Sequence, residues 1–116
     1  MKNYNLIKVE NEARVELHDK LELTGSEISF NNLVANTSIP FVHYHKNNEE
    51  VYIILEGNGK VLLDGEEILI EKGDVLRISP STKRQFFAGD LGLKYICIQT
   101  KQNSLDTYTL SDAVVE

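Results

Sequence analysis

The sequence predicts an all-β domain, a sandwich or barrel of antiparallel strands. Short apolar runs alternate with turn signals at a spacing of about 8–12 residues, which is typical of such folds. No long stretch has the 3.6-residue period of an amphipathic helix. The 116 residues suffice for one domain with one core, so we treat 1–116 as a single unit. Its core is predicted at about 26–100, between an N-terminal strand and a C-terminal tail.

The apolar runs and the turns between them predict where the strands lie. Asp64-Gly65 is a strong hairpin signal, because both central residues of the favoured turn need a positive φ. Gly57-Asn58-Gly59 and Lys72-Gly73-Asp74 also predict tight turns, and Ser79-Pro80-Ser81 predicts a break. We expect strands at Ala13–Leu17, Ser26–Leu33, Phe41–His45, Val51–Leu55, Gly59–Leu63, Glu67–Ile70, Asp74–Ile78, Arg84–Ala88 and Leu93–Thr100.

Two segments stay open at this point. Asp19–Leu23 fits either a strand or one helical turn. The tail from Asn103 to Glu116 fits a short helix or strand that covers the barrel, or a frayed end.

Charge and hydrophobicity argue against some classes of binding partner. The formal net charge of −6 repels phosphate backbones and argues against nucleic acid. No apolar stretch approaches the length that spans a bilayer, and Met1–Leu6 carries no secretory signal, so we expect a cytoplasmic protein without a membrane partner. Cys97, in an apolar run, is predicted to be a buried structural thiol. The strand Val51–Leu55 is apolar on both faces, which favours packing against a second sheet or, in a homodimer, a second subunit.

Chemistry concentrates in one short segment. His43 and His45 are one residue apart, so on a strand their imidazoles point to the same side. A polar turn follows, after which Glu49 or Glu50 returns a carboxylate towards them. Two imidazoles and a carboxylate at this spacing predict a metal site, although two histidines near a strand end are also common as surface residues.

These residues resemble the first motif of the cupins, in which His-x-His is followed by Glu and then, after six intervening residues, by Gly. The distance to Gly57 selects Glu50 as the motif carboxylate. Gly73-Asp74 and the residues up to Ser81 are similar to the opening of the second cupin motif. The resemblance implies an antiparallel double-stranded β-helix, or jelly-roll barrel, of the small single-domain kind similar to mannose-6-phosphate isomerases. It also implies a divalent metal ion, for which Zn, Fe, Mn and Ni are the candidates.

The chain departs from that pattern where the second motif has its third histidine, because Arg84 fills this position. Three interpretations follow. A metal binds through His43, His45 and Glu50, with Gln85 as a candidate fourth ligand, and Arg84 binds an anionic substrate group. Alternatively no metal binds and Arg84 pairs with Glu50 inside the barrel. In the third, Arg84 points outward as a surface charge.

Further side chains are candidates for the pocket. Phe41, Phe86 and Gln99 are predicted to contact a substrate, together with Arg84, and Tyr52 is a candidate acid or base. For the aromatic residues, simple filling of the barrel is the alternative.

Two functions follow from these predictions. The first is a metal-binding protein that acts on a small molecule, a sugar phosphate or a carboxylic acid, as an isomerase, epimerase or dioxygenase would. An anionic substrate is favoured by Arg84 and Lys83 alone. The second is a non-catalytic module that binds or senses a small ligand, without metal if Arg84 pairs with Glu50. The fold does not choose between them.

Overall fold

The structure is a computed structural model that describes residues 3–116. Within these residues, six strands form an antiparallel sheet, so the all-β prediction is confirmed. The sheet order is β1-β2-β6-β3-β4, and β5 also pairs with β3. The strands are β1 (Arg14–Glu16), β2 (Glu27–Leu33), β3 (Asn48–Leu63), β4 (Glu66–Glu71), β5 (Val75–Ile78) and β6 (Arg84–Lys101).

The two longest strands, β3 and β6, give the sheet its curvature. The first part of β3 pairs with β5 and the end of β6, whereas its second part pairs with β4 and the start of β6. The register between them shifts at Ile54/Glu56 and again at Gly57/Gly59. Such bulges bend a strand and increase its twist. The sheet therefore curls around one interior, where the site lies.

The predicted turn at Gly57-Asn58-Gly59 is wrong, because β3 runs through it without a break. Gly57 has a positive φ of 91°, but here the glycine makes a bulge. A Cβ on Gly57 would overlap the carbonyl group of Gly92 in β6, so the close approach of the strands requires glycine. The strands predicted on each side of this turn are one strand, and so are the two predicted within Arg84–Lys101.

Other turns follow the sequence. Asp64 and Gly65 both have positive φ angles, 50° and 86°, and join β3 to β4 in a tight hairpin. Gly73, with φ at 94°, lies in the turn before β5. The Ser79-Pro80-Ser81 break separates β5 from β6.

The predicted strand at Phe41–His45 is wrong. This segment follows Pro40 and is irregular, with one isolated bridge between His43 and Arg84. The two backbones exchange hydrogen bonds at 3.1 and 2.9 Å, and the His45 N–H donates to the carbonyl oxygen of Pro80 at 2.8 Å. These few bonds are enough to fix both histidines beside the barrel.

The open segments are short helices and exposed chain. Residues His18–Leu21 form one helical turn, α1, and Thr109–Ser111 form a 3-10 turn in an otherwise exposed tail. Within residues 3–116, no helix is both long and apolar enough to cross a membrane.

The core lies on the concave side of the sheet. Three aromatic rings form its centre: Tyr52 and Phe86 lie 4.4 Å apart between centroids, and Phe86 stacks on Tyr95 at 5.4 Å. Alternation along β3 points Glu50 to the same side as Tyr52 and Ile54. A charged group is thereby placed at the end of an apolar interior.

Candidate functional site

An open cavity of about 430 Å³ enters the barrel beside this core. Its walls come from β1, β2, β3 and β6 and from the irregular segment before β3. The volume is within the range of small-molecule sites, about 300–1,000 Å³. The cavity is therefore large enough for a small ligand.

His43, His45 and Glu50 converge at the inner end of this cavity. One ligand atom from each lies within 4.8 Å of the others, and the two imidazole rings are 5.3 Å apart. Glu50 is buried, whereas the histidines are half-buried. The predicted convergence of the three side chains is present.

The carboxylate of Glu50 is held in one orientation. Its Oε1 accepts hydrogen bonds from Nη1 of Arg84 at 2.7 Å and from the hydroxyl of Tyr52 at 2.6 Å. Its Oε2 faces Nε2 of His45 at 3.1 Å and accepts a hydrogen bond from Sγ of Cys97 at 3.4 Å. One oxygen is thus fixed by the protein, and the other faces the histidines.

Two nitrogen atoms at this end lack hydrogen-bond partners. Within residues 3–116, the buried side-chain polar atoms without a partner are Nδ1 of His43 and Nε2 of His45. The contact from His45 to Glu50 is short but not aligned as a hydrogen bond. Buried polar atoms are normally paired. Two unpaired imidazole nitrogens beside a carboxylate oxygen are a donor set that suits Fe(II) or zinc with open coordination positions.

The protonation states also suit a cation. Burial alone raises the pKa of Glu50, but the hydrogen bonds from Tyr52 and Arg84 and the charge of His45 outweigh it, so the pKa lies below its ordinary 4.5. Burial lowers the pKa of His43 below 6.5, and the charge of Glu50 offsets only part of this effect. The carboxylate and this imidazole are therefore in their metal-binding forms at neutral pH.

Arg84 is a fully buried structural residue. Beyond its bond to Glu50, its guanidinium donates to the carbonyl oxygens of Ser79, Pro80 and Thr82 at 2.6–3.0 Å. Its exposed fraction is 0% and it does not line the cavity. The interpretation in which Arg84 points outward is excluded, and the geometry gives Arg84 no access to a substrate. The ion pair of the second interpretation is present.

The other predicted pocket residues take different positions. Phe41, Phe86, Gln85, Gln99 and Tyr52 all line the cavity. Phe41 is 57% exposed at the mouth and its ring contacts His43 edge-on. Gln99 accepts from Asn48 at 2.8 Å, and the Gln85 amide donates to the Ile39 carbonyl oxygen at 2.9 Å. The roles predicted for these side chains stay predictions.

Besides packing in the core, Tyr52 donates a hydrogen bond to Glu50. Burial raises the pKa of Tyr52, and the neighbouring Cys97 and Glu50 raise it further. The hydroxyl thus keeps its proton at neutral pH and donates it in a hydrogen bond to Glu50.

One wall of the cavity was not predicted from the sequence. Arg14, Glu27, Ser29 and Asn31, from β1 and β2, line it. Ser29 and Asn31 are buried, although both are polar. The sequence held no clear signal for them, because β2 alternates polar and apolar residues and that pattern alone would place Ile28 and Phe30 inward instead of Ser29 and Asn31.

The curled antiparallel sheet and the His-His-Glu cluster define a small β-barrel protein with a candidate metal centre. A family model described as a cupin domain matches residues 32–99, more than half of the chain, and the chain belongs to this family. The resemblance seen in the motifs is confirmed.

Known proteins agree with this assignment. The chain is 52% identical to a cupin protein from Bacteroides fragilis of known crystal structure, with a TM-score of 0.97, covering 100% of this chain and 99% of that one. A sugar phosphate isomerase of the cupin superfamily from Silicibacter pomeroyi is 20% identical, with a TM-score of 0.67, covering 78% of this chain and 60% of that one. At that identity the likeness concerns the fold alone.

A curated relative is an uncharacterized protein of Methanocaldococcus jannaschii. It is 40% identical over 57 residues, which are 48% of this chain. The match spans 46% of that protein, so the chain covers about half the length of this relative.

Proposed function

We propose that this cupin binds a divalent metal ion through His43, His45 and Glu50 and acts on a small oxygen-bearing molecule in its cavity. The observation that carries the proposal is that two buried imidazole nitrogens have no hydrogen-bond partner within residues 3–116, in side chains that converge with Glu50. Three protein ligands leave coordination positions open. Isomerase, epimerase and dioxygenase chemistry all fit such a centre.

Neighbouring side chains orient the carboxylate of Glu50 for metal binding. Arg84 and Tyr52 hold Oε1 of Glu50 and so orient Oε2 towards the histidines. Such supporting contacts fix ligand orientation in metal sites. The bound metal would polarise a substrate oxygen as a Lewis acid. Tyr52 and Phe86 form an aromatic wall of the same cavity.

Arg84 also affects the strength of the site. Its positive charge lies next to Glu50 and repels a metal ion, but its hydrogen bond keeps the carboxylate ionised. We propose that the net effect is a weaker site than one with a third histidine, and that Arg84 positions Glu50 without touching substrate.

Cobalt(II) substitution tests the coordination. Metal-free protein titrated with Co²⁺ is expected to develop visible absorption bands that saturate at about one ion per chain, as an open three-ligand site predicts. His43→Ala should abolish these bands, whereas His18→Ala, in an exposed histidine on α1, should preserve them. Equal bands in both variants would refute the ligand assignment.

A turnover screen tests the chemistry. Protein loaded with Fe(II), Mn(II), Ni(II) or Zn(II) would be incubated with sugar phosphates and small carboxylic acids. Metal-dependent turnover that is lost in His45→Ala supports an enzyme.

The second candidate is a metal-free binding module. The observation that favours it is the buried ion pair of Arg84 and Glu50, which already compensates the carboxylate charge. In that case His43→Ala/His45→Ala would fold normally and bind the same small ligands as the wild type.

Three further expectations stay predictions: a homodimer, a cytoplasmic location and the lack of a nucleic-acid partner. Light scattering of the purified protein measures the first directly.

A further inference from the structure

Arg14 lines the cavity from β1 and is not one of the three candidate metal ligands; 56% of its side chain is exposed. The strand register explains its position. Arg14 pairs with Asn31 in β2, which in turn pairs with Tyr95 in β6. The side chains of these three residues all line the cavity. Arg14 therefore belongs to the same wall as the aromatic core, although it comes from the first strand.

The guanidinium of Arg14 is held over a buried polar wall. Its Nη1 donates to Oδ1 of Asn31 at 2.6 Å, and the Asn31 amide donates to Oγ of Ser29 at 3.0 Å. Asn31 and Ser29 are only 4% and 3% exposed. Burying such groups is costly unless they have partners. The chain from Arg14 through Asn31 to Ser29 is thus an ordered polar surface inside an apolar cavity.

Arg14 and Ser29 still have hydrogen-bond donors that a ligand could use. Within residues 3–116, the hydrogen bonds of Arg14 use Nε, which donates to Glu16 at 3.2 Å, and Nη1. Its Nη2 remains available, and the Ser29 hydroxyl, which accepts from Asn31, still has its own proton to donate. A planar guanidinium with a neighbouring hydroxyl suits a carboxylate or a phosphate.

The field of Arg14 reaches the cavity interior. Burial raises the pKa of Tyr95 to about 12, and the positive charge of Arg14 acts in the opposite direction. The hydrogen bond to Asn31 holds Arg14 on the cavity wall, although 56% of its side chain is exposed.

We propose that Arg14, with Ser29 and Asn31, binds the carboxylate of a small carboxylic acid whose apolar body lies against Tyr52, Phe86 and Tyr95. This inference rests on the proposed function for the far end of the ligand, where an oxygen atom would meet the metal centre. It transfers to Arg14 the anion recognition that the sequence assigned to Arg84.

A carboxylate is favoured over a phosphate by charge. Glu27 lines the same wall, and its carboxylate accepts the backbone N–H groups of Leu17 and His18 at 3.1 and 2.9 Å. Its negative charge offsets much of the single positive charge of Arg14. A phosphate dianion is therefore repelled more strongly at this wall than a carboxylate, which carries a single charge.

Benzoate is a suitable probe, because it joins a carboxylate to a planar apolar body. Its binding to metal-free protein would be followed by NMR titration, with benzamide as the neutral analogue and phenyl phosphate as the phosphate analogue. We expect saturable benzoate shifts at cavity residues and weaker binding of both analogues. Preference for phenyl phosphate would overturn the choice of carboxylate.

Arg14→Gln should weaken benzoate binding about tenfold, the value of a charge-assisted hydrogen bond. Arg77→Gln, at an exposed arginine on β5 outside the cavity, should leave it unchanged. Unchanged binding in Arg14→Gln, or equal losses in the two variants, would overturn the inference.

Metal content of the same variants separates this inference from the proposed function. Arg14→Gln should keep the wild-type metal content, since Arg14 does not contact the ligands. Arg14-dependent benzoate binding in a chain that never takes up metal would refute the metal centre alone. Metal uptake with Arg14-independent benzoate binding would refute the inference alone.

Discussion

Behind Glu50 and outside the cavity, Arg84 is fully buried, and its guanidinium donates to Glu50 and to three backbone carbonyl oxygens. At the mouth, Arg14 is partly exposed and has donors left over. An arginine thus stabilises the structure at position 84 and is a candidate ligand contact at position 14. A cation identified from a motif position does not reveal which of these roles it has, whereas the count of its unused donors does.

The largest expected difference between the two arginines is in stability. Arg84→Met leaves Glu50 charged and buried without its partner, and breaking a buried ion pair costs about 3–5 kcal/mol. Arg14→Met removes two hydrogen bonds of an exposed side chain, those to Glu16 and Asn31, and should cost about 1 kcal/mol or less. Urea unfolding of both variants measures the free energies. Similar losses in the two would contradict the contrast drawn here.

Glu50 should make the stability depend on acid pH. Its folded pKa lies below the ordinary 4.5. The stabilisation is therefore present above about pH 4.5 and is lost as the pH falls through the lower folded value, because the unfolded chain takes up the proton first.

Urea midpoints of the wild type and Glu50→Gln, measured with a chelator across this range, would show the effect. The acid-dependent decrease should be smaller in Glu50→Gln. Parallel curves would mean that Glu50 is not the group responsible.

Tyr52→Phe should have an intermediate effect. It keeps the ring in the aromatic core but removes the hydroxyl that donates to Glu50 at 2.6 Å. Hydrogen bonds to charged groups contribute about 1.5–3 kcal/mol, and we expect a loss of stability at the low end together with weaker metal binding. Tyr44→Phe, at an exposed tyrosine, is the matched control. If both variants behave alike, the hydroxyl of Tyr52 does not position Glu50.

The smallest effect concerns Cys97. Burial raises the pKa of this thiol to about 12, so little thiolate is present near pH 8. Iodoacetamide should modify the folded protein far more slowly than the chain in denaturing guanidinium chloride, as mass spectrometry can follow. Rapid modification of the folded protein would show that the inner end is open to solvent and more reactive than its burial indicates.

The inner end of the cavity was predictable because its residues are local in sequence. His43, His45 and Glu50 lie within one short segment, and the spacing to Gly57 in the resemblance to the first cupin motif selected the carboxylate that lies beside the histidines. The sequence left the direction of Arg84 open, because its partner Glu50 lies 34 positions away in the chain and the nearby carbonyl oxygens of Ser79, Pro80 and Thr82 face the guanidinium only once the 79–82 loop is folded.

Arg14 was not predicted as a cavity residue, because its position also depends on contacts between distant parts of the chain. Arg14 reaches the cavity through three successive strand pairings, none of which a single sequence specifies. The fold class followed from turn chemistry, yet Gly57-Asn58-Gly59 misled, since glycine marks both tight turns and bulges where strands approach closely. At Gly57 the backbone of β6 approaches closely, so the glycine makes a bulge within a strand and not a turn.

Metal stoichiometry is the most direct test of whether His43, His45 and Glu50 bind a divalent metal ion. Elemental analysis by mass spectrometry would be applied to the wild type, His43→Ala/His45→Ala and His18→Ala after incubation with each candidate metal and removal of the excess. We predict about one divalent ion per chain in the wild type and in His18→Ala, as three ligands with open positions imply, and little in the double variant. A double variant that retains as much metal as the wild type, or a wild type that binds none of the metals, would contradict the account.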